Sequence, residues 1–401
     1  MKKQRIIYLD NSATTPVDQR VLQEMLPYFS QEFGNASSLH LKGQVAMLAI
    51  EKAKKQISNF LGCLADDIYF TSGATESNNW VIKVVVKNSL QKEPDLKPHL
   101  IVSAIEHESI LEPVRQLVKD KLIEVTYLKV NQEGIISPVA LKEAIKDNTV
   151  LVSLMLANNE IGSIQPISEI AKIIKEINAN RNRKILFHSD ATQALAYLDC
   201  RVEKLGVDFL SFSAHKIYGP KGIGALYIRQ GLKLEPLIAG GGQQKGQRSG
   251  TYNVAGIVGF GKAVEIIADK QKRAQEIKRL KELRNYLIKQ ILKKIPKASL
   301  NGSLKYRLPN NVNFTFQGVE GESIILMLSQ KGICASTGSA CSSNSLEPSH
   351  VLLALGIPPE QAHGSLRLTL GKFTKKSDID ILLKHLPVII EKLRSMSPLK
   401  I

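Results

Sequence analysis

The chain has 401 residues, 43% of them hydrophobic, enough to bury a large core in one domain or two. Its 54 lysines and arginines against 37 acids give a formal charge of +17, but they scatter along helical faces with no zinc-finger or aromatic-basic module, so direct nucleic-acid binding is not expected. No apolar run nears the ~20 residues of a membrane span, no secretory apolar stretch follows the start, and four cysteines without a CxxC pair fit a reducing cytoplasm.

After an N-terminal arm, 21–29 and 44–61 carry helical periodicity, the second closing at Gly62. A strand at 67–70 runs into the turn Thr71-Ser72-Gly73-Ala74-Thr75-Glu76-Ser77, which opens a helix with an apolar face at 80–86. The start of such a helix offers unpaired N–H groups and a positive dipole end to an anion, although many helices need a turn of this composition simply as a cap. A strand at 100–104 ends at Glu106-His107, and another follows at 123–129. Ser137-Pro138 opens a helix, and the apolar run 150–156 ends at Asn158-Asn159-Glu160. Ser168 is expected to cap a helix through 177, and a strand at 184–187 leads to His188-Ser189-Asp190. The strand 207–212 gives way, through Ser213-Ala214-His215-Lys216, to a turn at Gly219-Pro220, with a further strand at 224–228.

Strands alternating with helices at this spacing predict an α/β domain on a mostly parallel sheet, where functional residues gather just past the carboxyl ends of the strands. His107, Asn159, Asp190, His215 and Lys216 all fall at such positions. Beyond the glycine-rich loop 240–251, residues 264–294 read as one long lysine-rich helix leading to a second domain. That domain should hold strands at 311–317, 334–336 and 365–370 and helices at 322–330 and 349–355. The last helix, 379–393, contains Pro387 and is expected to kink or break there.

A lysine at the end of a buried strand is costly unless it is paired, neutral or covalently used; otherwise its stem lies on the core and its head reaches water. A strand-end lysine, a carboxylate, a histidine and an anion-binding helix start form the set that holds pyridoxal phosphate. Lys216 would form the Schiff base, and Asp190 would keep the pyridine nitrogen protonated unless it merely caps a helix at 191–196. His107 stacks on the ring or is a core histidine. Cys341 lies in a small, polar stretch, 337–345, that predicts an exposed loop and a thiol able to ionise, whereas Cys63, Cys200 and Cys334 read as packing. Arg367, between Leu366 and Leu368, either clamps a carboxylate or pairs with a structural acid.

The ordered motifs 8–15 (YLDNSATT), 34–38 (GNASS), 71–78 (TSGATESN), 158–162 (NNEIG), 190–193 (DATQ), 213–216 (SAHK), 248–251 (RSGT) and 338–342 (GSACS) resemble the cysteine desulfurases of the NifS/IscS-like class, within the class V pyridoxal-phosphate-dependent aminotransferase superfamily. The resemblance implies a type I aspartate-aminotransferase-like fold, with a large cofactor domain at 16–262 and a smaller α+β domain from 1–15 and 263–401. It implies conversion of L-cysteine to L-alanine with a persulfide on Cys341, supplying sulfur for iron–sulfur cluster assembly and, further, tRNA thiolation. Lys216 would be the Schiff-base lysine, and His107 would stack on the cofactor and assist proton transfer. Asp190 would pair with the pyridine nitrogen, Gln193 with the ring hydroxyl, and Asn159 would lie beside cofactor and substrate. Ala74, Thr75, Ser213 and His215 would bind the phosphate, with Thr251 contributed by the other subunit of a homodimer. Asn35 and Arg367 would hold the substrate carboxylate. No metal site is implied beyond transient ligation of an iron–sulfur cluster by Cys341. An iron–sulfur scaffold or another acceptor protein would take the sulfur, although the chain stops at Ile401 without the tail that some relatives use to dock the scaffold. Tyr252, after Thr251, also departs from many relatives and bears on the dimer contact. Same-scaffold rivals are an aminotransferase or a selenocysteine lyase; a rival of another class is a tRNA-binding sulfur relay.

Overall fold

The computed structural model describes residues 5–338 and 347–397. Its centre is a seven-stranded sheet. The short β1 (Ile7–Tyr8) lies outside it; β2 (Ile68–Thr71), β3 (His99–Ser103), β4 (Glu124–Leu128), β5 (Thr149–Ser153), β6 (Leu186–Asp190), β7 (Phe209–Ser213) and β8 (Gly224–Ile228) make it up. The order is β2-β8-β7-β6-β5-β3-β4, and β8 alone runs antiparallel to both its neighbours. Strands covered by helices on both faces are rich in apolar residues, and β3, β5 and β7 are buried at every position. At the edge, β4 is partly exposed and carries glutamate, threonine and tyrosine.

A second, antiparallel sheet joins β9 (Ala298–Leu300), β10 (Asn311–Phe316) and β12 (Ser365–Thr369), with β10 in the middle. Between them in sequence, β11 (Ile333–Cys334) pairs parallel with β1, so the N-terminal arm is stitched to the C-terminal part of the chain. Ile7 and Leu9 accordingly pack into the core formed by Phe314, Leu328, Leu366 and Leu386. A separate core around Phe70, Phe187 and Phe212 includes Phe260 and Val264.

Several local expectations change. The helix expected at 264–294 is two, Val254–Ala268 and Lys270–Lys294, because Asp269 turns extended and its side chain accepts the Lys272 amide as a cap. Pro387 does not break the last helix, which runs unbroken through Lys376–Met396; Leu382, Leu383, Leu386, Ile389 and Ile390 bury its apolar face on both sides of the proline. Ser168 is no cap: the helix is Ile167–Ala179, it starts after Pro166, and no side chain caps it. A helix at Glu108–Lys119, capped by the His107 side chain, goes unread in the sequence, and 191–196 forms turns rather than a helix.

Candidate active site

The carboxyl ends of β3, β5, β6 and β7 open on one cavity of about 480 Å³. Lys216 enters it from a 3₁₀ turn, Ala214–Lys216, directly after β7. That turn reverses through Tyr218, a non-glycine residue at φ 66°, a conformation that persists only when its surroundings fix it. They do: the Tyr218 amide donates to Thr15 Oγ1 at 2.9 Å, and its hydroxyl accepts the Lys372 amide at 2.6 Å. The Lys216 ammonium donates to the backbone carbonyls of Ser12 and Ala13, the latter at 2.8 Å. Beside it, His215 Nδ1 lies 3.1 Å from Thr14 Oγ1. Burial, reinforced by the Lys216 and Lys221 charges, pushes its pKa down to about 4, so His215 is neutral at physiological pH.

Asp190 ends β6 and is 7% exposed. One carboxylate oxygen accepts the Thr192 amide at 2.9 Å and the other the Asn78 side-chain amide at 2.8 Å. Asn78 also donates to Ser109 Oγ at 2.8 Å, and Ser109 Oγ lies 2.9 Å from His107 Nδ1. The Ser109 amide donates to that same Nδ1 at 3.1 Å, so in the neutral ring the proton sits on Nε2. Asp190 and His107 are thereby oriented by one network that Asn78 and Ser109 close. Asn78 and Ser109 are the residues the sequence reading misses. The signal is helical spacing, since Asn78 lies on the same face of the Ala74–Lys92 helix as Ala74 and Thr75.

The start of that helix lines the other side of the cavity through Ser72, Gly73, Ala74 and Thr75, with no side-chain cap on its amides. A Cβ built on Gly73 meets nothing within 4 Å, so the cradle is open to a ligand. Its first turn is braced by Glu76, which accepts the Ser72 amide at 2.7 Å and an ion pair from Arg248 at 2.9 Å. Burial alone would raise the Glu76 pKa; Arg248 and Ser72 outweigh it and hold the carboxyl below its usual value. Ser213, Gln193, Asn159 and Arg367 complete the lining, Gln193 donating to the Ser12 carbonyl at 3.0 Å. Arg367, 1% exposed, pairs with Asp10 at 2.9 Å and donates to the Asn159 carbonyl at 3.4 Å, while its Nε has no partner among the described residues. Two buried hydroxyls near the cavity, Ser12 Oγ and Thr192 Oγ1, likewise have no partner among the described residues.

An amine, a buried carboxylate, an uncapped helix start and unpartnered polar atoms around a cavity fit a small anionic ring carrying an aldehyde and a phosphate. Asn35 and Thr251 do not line this cavity; both are exposed. Cys341 lies outside the described residues. Burial pushes the Cys63 and Cys200 thiols up to about 12, so neither ionises near neutral pH. Among the described residues no cluster of His, Cys, Asp or Glu could hold a metal ion, and no helix is long and apolar enough to cross a membrane.

The family model described as aminotransferase class-V matches residues 7–382. A cysteine desulfurase IscS of Dictyoglomus turgidum is 50% identical over 397 residues, 99% of this chain and 97% of that one. A solved structure titled as a NifS-like protein superposes with a TM-score of 0.88 at 37% identity, over 97% of this chain and all of the other. Another, titled SspA in complex with cysteine, gives a TM-score of 0.78 at 36% identity, over 92% of this chain and all of the other.

Proposed function

The chain belongs to the class-V aminotransferase family and is a pyridoxal-phosphate-dependent cysteine desulfurase of the IscS kind, and from that premise we propose which of its residues perform the reaction. The observation that carries the assignment is the convergence of Lys216, Asp190 and the uncapped start of the Ala74–Lys92 helix on one cavity. The amides of Ala74 and Thr75, with Ser213 and His215, would hold the phosphate. Asp190, fixed by Asn78 and Thr192, would pair with the pyridine nitrogen and keep it protonated. Gln193 would meet the ring hydroxyl, and His107 would stack on the ring. When bound, the cofactor supplies the carbonyl that Lys216 and then the substrate amine attach to, and an electron sink that weakens the bond from Cβ to sulfur.

The protein's own groups do the rest. Arg367, locked by Asp10, and Asn159 present the substrate carboxylate, whereas Asn35, exposed and outside the cavity, makes no such contact within its own chain. Lys216 and His107, both in the cavity wall, would move the α-proton. The Cys341 thiolate attacks the substrate sulfur; an S–S bond forms on Cys341, the C–S bond breaks, and a proton on the former Cβ completes L-alanine. The persulfide then passes to an acceptor protein for iron–sulfur cluster assembly, and tRNA thiolation is a further outlet for the same sulfur. L-Cysteine as substrate is supported by the cysteine complex of a similar protein.

A homodimer accounts for Thr251, which is exposed in one subunit and would complete the phosphate site of the other. The enzyme acts in the cytoplasm. We place the joint between its two units at Asp269, since the Phe260 and Val264 side belongs to one core and Leu280 begins the other. The test is a pair of variants loaded with pyridoxal phosphate. Lys216→Ala should lose the visible band of the linked cofactor and all turnover. Cys341→Ala should keep the band and form no persulfide from L-cysteine. Undiminished desulfuration by Cys341→Ala would favour a lyase or aminotransferase on the same scaffold.

A further inference from the structure

Glu160 is 1% exposed and follows Asn159, a residue of the cavity wall. Its backbone is clamped from two sides. Asn158 Oδ1 accepts the amides of Glu160 and Ile161 at 2.8 and 3.0 Å, which folds the chain into a tight turn. The Glu160 carbonyl accepts the side-chain amides of Asn311 and Asn313, on β10, at 3.0 and 3.1 Å. The peptide that carries Glu160 therefore joins the large sheet to the smaller one.

Its carboxyl group points to a place where two distant parts of the chain meet. Ser349 Oγ donates to Glu160 Oε2 at 2.5 Å. A Cβ built on Gly338 would lie 2.8 Å from the same oxygen and 3.3 Å from Ser349 Cβ, so only glycine lets the chain pass this close. Residues 338 and 349 flank the segment that holds Cys341. Just before it, Ser336 and Arg367 exchange backbone hydrogen bonds at 2.7 and 3.3 Å. Just after it, Ser349 caps the His350–Ala354 helix through the Leu352 amide, and His350 Nε2 lies 2.9 Å from the Glu106 carbonyl. Among the described residues no cation pairs with Glu160. A buried carboxyl whose partner is a hydroxyl rather than a cation is costly, so packing alone is a poor reason for it.

We propose that Glu160 is a positioning residue for sulfur transfer: through Ser349 and Gly338 it fixes where the segment bearing Cys341 leaves and rejoins the fold. The inference rests on Cys341 being the sulfur-carrying thiol. Loss of the bond misplaces the origin of the thiol relative to Arg367 and the cavity without touching the residues that hold cofactor or substrate.

The test is single-turnover persulfide formation on Cys341, followed by mass spectrometry after mixing loaded enzyme with L-cysteine. KM, cofactor absorbance and melting temperature are measured alongside. Ser349→Ala, which removes the donor, should slow the step about tenfold, the size of one lost hydrogen bond, and Glu160→Gln, which keeps an acceptor oxygen, should slow it by less, with KM and absorbance unchanged in both. Ser349→Thr, which keeps the hydroxyl, should restore most of the rate. The double variant should be no slower than Ser349→Ala, since Glu160→Gln acts only through a bond that Ser349→Ala has already removed. Alkylation of Cys341 by iodoacetamide, with no substrate present, should change in rate in Glu160→Gln and Ser349→Ala and not in Ser349→Thr. A wild-type rate in Ser349→Ala, or losses that merely follow cofactor content or melting temperature, would overturn the proposal. Full desulfuration by Cys341→Ala would instead overturn the assignment beneath it, and that variant reads this separately.

Discussion

At the scale of single residues, Glu106 and His107 are neighbours in sequence and opposites in environment. His107 lines the cavity, whereas Glu106 is fully buried behind it, accepting the Ser103 hydroxyl and, at 3.0 Å, the Met155 amide. Burial pushes the Glu106 pKa up to about 8, with the charge of Asp190 adding to the rise and the two hydrogen bonds opposing it. A carboxyl raised on folding holds its proton where the unfolded chain has lost it. Its contribution to stability is complete below the unfolded value of 4.5 and disappears as pH rises to about 8. The wild type should therefore lose stability relative to Glu106→Gln across that window, by up to about 1.4 kcal/mol per pH unit, and the gap should level off above it. Urea midpoints of the two proteins at several pH values measure this, and parallel curves would refute it. His99, His188 and His215, each held down to about 4 by burial, act in the opposite sense: they cost stability as pH falls below 6.5. Both proteins share that loss, so it cancels in the comparison. Lys216, Asp190 and His107 are legible in the sequence because each stands where an apolar run stops. The partners that orient them are not, because the bond from Asn78 to Asp190 depends on how a helix face meets β6, and Glu106 differs from any surface glutamate only once the chain has closed over it.

At the scale of elements, the alternation of strand and helix is visible in the sequence and so is the fold class. The direction of β8 follows from the same reasoning. The connection from Ser213 to Gly224 is too short for the crossover helix a parallel strand needs, so β8 returns antiparallel to β7. What the sequence hides is the use of that return. β8 lies between β7 and β2, and Gly224 stands opposite both Ser213 and Thr71. A Cβ on Gly224 would fall 2.7 Å from backbone atoms of Gly73 and 2.9 Å from the Phe212 carbonyl. Gly224→Ala should therefore push the start of the Ala74–Lys92 helix out of place, at an overpacking cost of about 1–3 kcal/mol. The effect should fall on cofactor retention more than on folding, because Gly73 opens onto the cavity. Titrating the apoprotein with pyridoxal phosphate at 25 °C should show roughly tenfold or weaker binding by Gly224→Ala, with the far-ultraviolet circular dichroism unchanged. Binding equal to the wild type would mean that the cradle is not braced by β8. Asp269 and Pro387 show the limit of local reading: a cap signal inside a lysine-rich stretch and a proline inside an apolar stripe are each decided by which face is buried.

For the whole molecule, the site assembled within one chain is incomplete against the residues expected to form it. Ten of them line the cavity, while Asn35 and Thr251 are exposed and away from it. The exposed apolar surface has a matching bias. Between residues 22 and 48 the chain displays Leu26, Phe29, Phe33, Leu39, Leu41 and Leu48, with Leu39 at 91% exposure. Single exposed apolar residues need no explanation, but six of them in one short stretch make it the candidate face for the proposed second copy. Asn35 lies inside this stretch. A second copy of the chain seated there would cover the leucines and phenylalanines and bring the partner subunit's Thr251 into play, so cofactor retention and association should rise and fall together. Leu39→Glu with Leu41→Glu, neither residue lining the cavity, should shift the protein from dimer to monomer in sedimentation equilibrium. The loaded variant should also shed pyridoxal phosphate on dilution, at least tenfold faster than the wild type. A variant that stays dimeric would show that this face is not the contact, and one that turns monomeric yet keeps its cofactor would show that each site is complete within its own chain.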